Sequence, residues 1–254
     1  MYRDAQVLGS KNLQQMIDKL AAIPLLYQPG TQWVYSVSVD IQGYLVEKLS
    51  GQSLGEFMRQ NIWQPLGMKD TAFHVAPDKM GRFASLYAAT GRLEPSSGGN
   101  VAMDFSKEPA MPSGGGGLTS TASDYLRFAQ MLLNGGELGG TRILAPASVA
   151  LMRTNRLPLS ITSSGEFGIG FFHISPGFGF GFDFGVYTDP GFISHPVGKG
   201  TYTWGGAAGT WFWIDPTNDI VFAGMVQRVI LPGSPDMDTV AHEAVYQALV
   251  NPEK

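Results

Sequence analysis

Three places in this chain combine residue types and spacing that could do chemistry. The first is Trp204-Gly205-Gly206-Ala207-Ala208-Gly209-Thr210, set between Thr201-Tyr202-Thr203 and Trp211-Phe212-Trp213-Ile214. Small residues in a run otherwise made of large aromatics let another backbone or a ligand come close. The N–H of Ala207 would then serve as one half of an oxyanion hole. Taken by itself, the segment fits a β-bulge or packing glycines better. The second is Tyr35, in Trp33-Val34-Tyr35-Ser36-Val37-Ser38-Val39-Asp40, after Pro29-Gly30 and before a helical pattern. A tyrosine there is commonly a packed ring with a satisfied hydroxyl. It becomes a general base only where cations pull its pKa far below the ordinary value of about 10. The third is Gly51-Gln52-Ser53-Leu54-Gly55, which matches G-x-S-x-G. A nucleophile elbow needs a strand before its serine, but a helix precedes Ser53, and Ser53 with Glu56 reads as a capping box.

The elements that must hold these residues follow from periodicity and punctuation. Leu13, Ile17, Leu20 and Ala21 predict a short helix that stops before Pro24; Ile41, Leu45 and Leu49 predict another, ended by Gly51. Leu54, Phe57, Met58 and Ile62 continue behind the Ser53 cap. Thr121 and Asp124 open a helix through Tyr125, Phe128, Ala129 and Leu132 that ends at Gly135-Gly136, and Pro146 suits the first turn of the next, 146–153. Phe167 to Ile174 reads as a strand. The stretch 201–227 reads as a hairpin about the turn Asp215-Pro216-Thr217-Asn218-Asp219. The Gly/Phe alternation at 177–185 reads as a loop or floppy hairpin. Met237, Val240, Ala241, Ala244, Val245, Ala248 and Leu249 form a helical stripe expected to cover a sheet. Helices, then antiparallel strands, then a helix predict an α+β fold: a mainly helical region 1–160 with the tyrosine motif, and hairpins with a closing helix in 161–254, together one domain.

Composition narrows the function classes. The chain has 254 residues, 44 % hydrophobic and 15 % charged, with a formal net charge of -4. Scattered Lys and Arg give no electrostatic case for nucleic acid, and no apolar run approaches a membrane span. Zero cysteines exclude disulfides, thiol catalysis and Cys-based metal sites. His74, His173, His195 and His242 lack HxH or HExxH spacing, so no metal site is expected. The start has no signal-peptide apolar region, which favours the cytoplasm for the chain as given.

Order and spacing of the motifs together resemble a family. Pro29-Gly30 through Trp33-x-Tyr35-Ser36, then Glu47-x-x-Ser50-Gly51, Pro65-Leu66-Gly67-Met68-x-Asp70-Thr71-x-Phe73, Gly114 to Gly117 leading into Leu118-Thr119-Ser120-Thr121-Ala122-x-Asp124-Tyr125, Gly168-Ile169-Gly170-Phe171, and the segment 204–210 are similar to serine β-lactamase-fold hydrolases. The resemblance is to the esterases related to class C β-lactamases, the family VIII carboxylesterases. It implies a β-lactamase/penicillin-binding-protein-like fold, Tyr35 as general base or proton relay, Ala207 as oxyanion donor, and Trp204, Gly205 and Gly206 lining the acyl pocket. It implies a small-molecule ester substrate and no cofactor or metal. Val37 stands where β-lactamases carry Asn in Tyr-x-Asn, and Trp204 replaces the Lys of Lys-Thr-Gly. Both changes remove polar groups that would hold a β-lactam, which favours esters.

The family's nucleophile lies in Ser-x-x-Lys. No lysine here has a serine three residues before it. The chain is therefore expected to be the C-terminal portion of its fold, beginning between the nucleophile helix and the tyrosine, and weakly active or inactive alone. The strand from Ile220 to Gln227 should then present an open edge. The expected partner is a second copy or the missing N-terminal segment. The alternatives are a non-catalytic binding or oligomerisation module, a β-lactam hydrolase, and an α/β-hydrolase using Ser53.

Overall fold

The computed structural model describes residues 1–88, 103–162, 174–229 and 236–250. The expected strand Phe167 to Ile174 (all but its last residue), the motif Gly168 to Phe171 and His173 lie outside these residues. Helix α1 (Leu13–Ala21) starts where the Asn12 side chain accepts a hydrogen bond from Gln15 N, and it buries Leu13 and Met16. Helix α2 (Ser38–Ser50) packs on α1 and stops at Gly51. Helix α3 (Leu54–Met58) passes through one π-turn at Arg59–Trp63 into α4 (Gln64–Leu66). Ser53 caps α3 by accepting from Glu56 N at 3.3 Å. Only this half of the expected capping box forms. Glu56 turns to Arg59, and Glu47 on α2 instead accepts from Leu54 N at 2.9 Å, joining two helices. Helix α5 (Ala122–Leu133) is capped by Thr121; a two-residue-per-strand hairpin, β1 (Glu137–Leu138) and β2 (Thr141–Arg142), follows, then α6 (Pro146–Met152) and α7 (Leu159–Thr162).

The remaining strands are β3 (Phe178–Phe180), β4 (Gly185–Tyr187), β5 (Tyr202–Gly206), β6 (Thr210–Asp215) and β7 (Ile220–Met225), antiparallel in the order β3-β4-β5-β6-β7. Helix α8 (Met237–Gln247) comes last. Side chains alternate across a sheet, so Phe212 and Trp213 of β6 face opposite ways. Phe212 meets Tyr125 of α5 at 5.0 Å between ring centroids, whereas Trp213 stacks on His242 of α8 at 3.9 Å. The sheet is thus sandwiched between α5 and α8. Phe212, with Leu54, Trp63, Leu66 and Leu132, belongs to the main core; Trp213 is fully buried on the other side.

Three expectations change. The Gly/Phe stretch forms the regular strands β3 and β4, joined by the turn in which Gly181 N donates to Phe184 O at 2.8 Å. The region 201–227 is a three-stranded meander rather than one hairpin. Helix α8 does cover the sheet, but with His242 and Tyr246, while Met237 and Val240 are exposed. Aromatic stacking and a buried hydroxyl decide that face: Tyr246 donates its O–H to the Asp215 carboxylate and accepts from Gly198 N at 3.0 Å. Among the described residues β7 is the sheet's last strand, and just past its end Tyr87 pairs with Arg228.

Candidate active site

Tyr35 sits in the segment leading into α2, two residues before its N-cap Val37, and is 41 % exposed. Trp204, on β5, lies opposite Phe212 of β6 and packs partly on the core. The two rings meet, with centroids 5.7 Å apart. Two further aromatics complete a circuit. Trp33 lies 6.4 Å from Tyr35 and 5.1 Å from Phe180, and Phe180 lies 5.4 Å from Trp204. The tyrosine motif and the Trp-Gly-Gly strand, 169 positions apart in sequence, therefore form one surface.

Gly205 and Gly206 continue β5, but Ala207 is not in the strand. It is the exposed first corner of the β5–β6 turn, in which Gly209 N donates to Gly206 O at 3.0 Å. The turn is closed by Gly209 in the left-handed region (φ 86°), where a three-residue hairpin loop wants glycine. A side chain at Gly209 would also collide with the carbonyl oxygens of Val226 and Arg228. Val226 N donates to Gly209 O at 3.0 Å and Arg228 N to Ala208 O at 2.9 Å. The chain leaving β7 thus clamps this turn and fixes the backbone around Ala207.

A second clamp fixes the start of α2. Asp40, in its first turn and 4 % exposed, accepts a hydrogen bond from the Ser113 hydroxyl and a longer one from Gly115 N at 3.4 Å. Gly114 lies so close to the Val39 carbonyl that any side chain there would collide with it. Gly114 and Gly115 are therefore a close-packing device, which locks the loop onto the helix that follows Tyr35. A buried carboxylate needs such donors. On the other flank, Gln42 of α2 reaches Asp183 in the β3–β4 turn at 3.3 Å.

Of the residues singled out in the sequence, Tyr35 and Trp204 meet on this surface and Gly205, Gly206 and Ala207 continue from it; Phe180 and Asp40 were not singled out. Phe180 had a signal in the strict Gly/Phe alternation, which has the period of a strand. Asp40 had none beyond its place in the first turn of α2. Ser53 caps α3 behind helix α2, without the preceding strand that a nucleophile elbow needs. His195 and His242 lie on the α8 side, with ring centroids 4.6 Å apart. Among the described residues no three His, Asp or Glu side chains converge as metal ligands.

Comparison with known proteins bears on this arrangement. A family model described as Beta-lactamase matches residues 2–246. The chain is 37% identical over 231 residues to Protein Rv1367c of Mycobacterium tuberculosis, covering 89% of this chain and 55% of that protein. It is 33% identical over 219 residues to Esterase EstB of Burkholderia gladioli, covering 79% of this chain and 51% of that one. The structure of EstCE1, a hydrolase with promiscuous acyltransferase activity, superimposes with a TM-score of 0.74 at 28% identity, over 92% of this chain and 61% of that one. The fold is that of the β-lactamases and penicillin-binding proteins. The chain spans about half the length of the two sequence relatives.

Proposed function

We propose, from the premise that this chain belongs to the β-lactamase family, that its aromatic surface is one wall of a serine-dependent site for carboxylic-ester hydrolysis of the family VIII type. Esterases among its relatives support ester hydrolysis at the level of the family. The observation that carries the reading is the 5.7 Å contact between Tyr35 and Trp204, which puts a phenol beside the strand that runs into Ala207.

In this reading a serine hydroxyl attacks the ester carbonyl while Tyr35 relays its proton to the departing alcohol. The oxyanion accepts hydrogen bonds from the N–H of Ala207 and from that of the serine itself, and water then hydrolyses the acyl-serine by the reverse proton path. Gly205 and Gly206 leave room for the acyl group. No metal or cofactor is called for. The nucleophile and its lysine belong to a Ser-x-x-Lys segment outside these 254 residues, because no lysine here has a serine three positions before it. The 254 residues alone are then weakly active at most, and they associate through the open β7 edge with that segment or with a second copy.

The test is hydrolysis of p-nitrophenyl acetate, with fluorophosphonate labelling, by the 254-residue chain and by a polypeptide that joins it to a Ser-x-x-Lys segment. Turnover and labelling of the Ser-x-x-Lys serine in the longer form are expected. Tyr35→Phe should lower kcat by about 10²–10⁴-fold, the usual weight of general acid–base catalysis. The same absence of Ser-x-x-Lys favours a second reading, a binding module that keeps the pocket without the chemistry. Silence in both polypeptides would leave that second reading standing alone.

A further inference from the structure

We propose that the circuit of Trp33, Tyr35, Phe180 and Trp204 is a binding face for an aromatic ring in the acyl half of the ester, and that Phe180 and Trp33 determine specificity for it. The proposal rests on the ester-hydrolase reading above and names its substrate class: esters of arylacetic-type acids, with a flat ring next to the scissile carbonyl.

The circuit is closed. Its four sides measure 6.4, 5.7, 5.4 and 5.1 Å between ring centroids, each within the range where aromatic rings attract by edge and face. None of the four residues is buried. No member carries a charge, so the face suits an apolar ligand. Trp204 is three residues before Ala207, and consecutive Cα atoms lie about 3.8 Å apart. That keeps the Trp204 ring on the strand that leads into the oxyanion donor, within about 10 Å of extended chain.

Phe180 is held for this task rather than left on a loose hairpin. Its N–H donates to Asn155 Oδ1 at 3.0 Å, and its carbonyl accepts from Arg156 N at 2.8 Å. The adjoining turn is tied to α2 by Gln42 and Asp183, and Asp183 holds a left-handed backbone (φ 61°) that a residue other than glycine rarely adopts. A binding face whose rings are already in place binds with less ordering cost. The π faces reward an aromatic guest over a saturated ring of equal size, and that difference is what an experiment reads.

The experiment compares kcat/KM for methyl phenylacetate and methyl cyclohexylacetate, whose reacting centres and leaving groups match, in the polypeptide that includes a Ser-x-x-Lys segment. One lost ring contact changes such a ratio by about 2–10-fold. A clear preference for the phenyl ester is expected, falling toward parity in Phe180→Leu and Trp33→Leu. Phe182→Leu, two residues along and half exposed, should keep the wild-type ratio. A wild-type ratio of one or less, or equal ratios in Phe180→Leu and Phe182→Leu, overturns the proposal. Fluorescence titration of the 254-residue chain with phenylacetate and cyclohexylacetate decides it without turnover: tighter phenylacetate binding that Phe180→Leu abolishes supports it, and equal binding overturns it. Absence of turnover on every ester, with phenylacetate selectivity intact, would instead discard the hydrolase reading.

Discussion

At Ala207 folding and the proposed chemistry can be separated by one substitution. The residue occupies the second position of a turn closed by the 3.0 Å bond from Gly209 N to Gly206 O, and its own N–H takes no part in that closure. Proline is favoured at this position of a turn and lacks an N–H. Ala207→Pro should therefore melt within about 1 kcal/mol of the parent, as a surface change does. In the catalytically competent form it should lower kcat by about 10²–10³-fold, the weight of a lost oxyanion donor. Full kcat in Ala207→Pro would remove Ala207 from the mechanism. Tyr35 and Trp204 were legible because each stands in a motif with its neighbours; their 5.7 Å contact was not, since nothing local in sequence couples positions 35 and 204. Phe180 escaped because glycine alternation reads as flexibility when its hydrogen-bond partners, Asn155 and Arg156, lie about twenty-five residues away.

Among the elements, α8 shows how a polar residue can decide a buried face. His242 is wholly buried, its Nδ1 is 3.0 Å from the Asp238 carbonyl oxygen, and its ring lies between Trp213 and the His195 ring. Asp236, Asp238 and Glu243 on or beside α8 face the pair, with Tyr187 from β4 and Tyr246 from α8 itself. Burial, and next the neighbouring His242, hold the His195 pKa below its ordinary value of 6.5, against the opposing pull of the three carboxylates. The sign follows from linkage: where the folded pKa lies below the unfolded one, the unfolded chain binds more protons between the two values. This contribution to stability is present above pH 6.5 and fades as pH falls from there through the folded value. Thermal melts between pH 7.5 and 5.0 should show Tm declining over that window, and His195→Gln should flatten the decline. An identical pH profile in His195→Gln would show that the pair does not set it. The caps at Ser53 and Thr121 were readable because a capping side chain bonds within its own turn. The facing of α8 was not, since an apolar stripe counts neither the His242 stack nor the Tyr246–Asp215 bond.

Across the molecule, among its described residues, two surfaces stay uncovered on elements built for cover. Strand β7, Ile220 to Met225, ends the sheet of the described residues without a proline or a charge, the devices that ordinarily blunt an edge. On α2 the periodic apolar residues that predicted the helix point outward: Ile41 is 39 %, Leu45 49 % and Leu49 87 % exposed. The helix was legible for the same reason that its exposure was not. Periodicity reports that a face wants burial, not what buries it. Removing such a face from water contributes roughly 25 cal/mol per Å² of apolar area, enough to favour association once several large side chains take part. Because these residues already lie in solvent, Leu45→Glu with Leu49→Glu should leave the fold intact. The 254-residue chain should therefore scatter light as a species larger than one chain, with a fraction that grows with concentration. The double variant should shift it toward the monomer while its melt stays cooperative and close to that of the parent. A parent that is already a clean monomer with a cooperative melt would mean that both surfaces are tolerated bare, and the proposed association would fall.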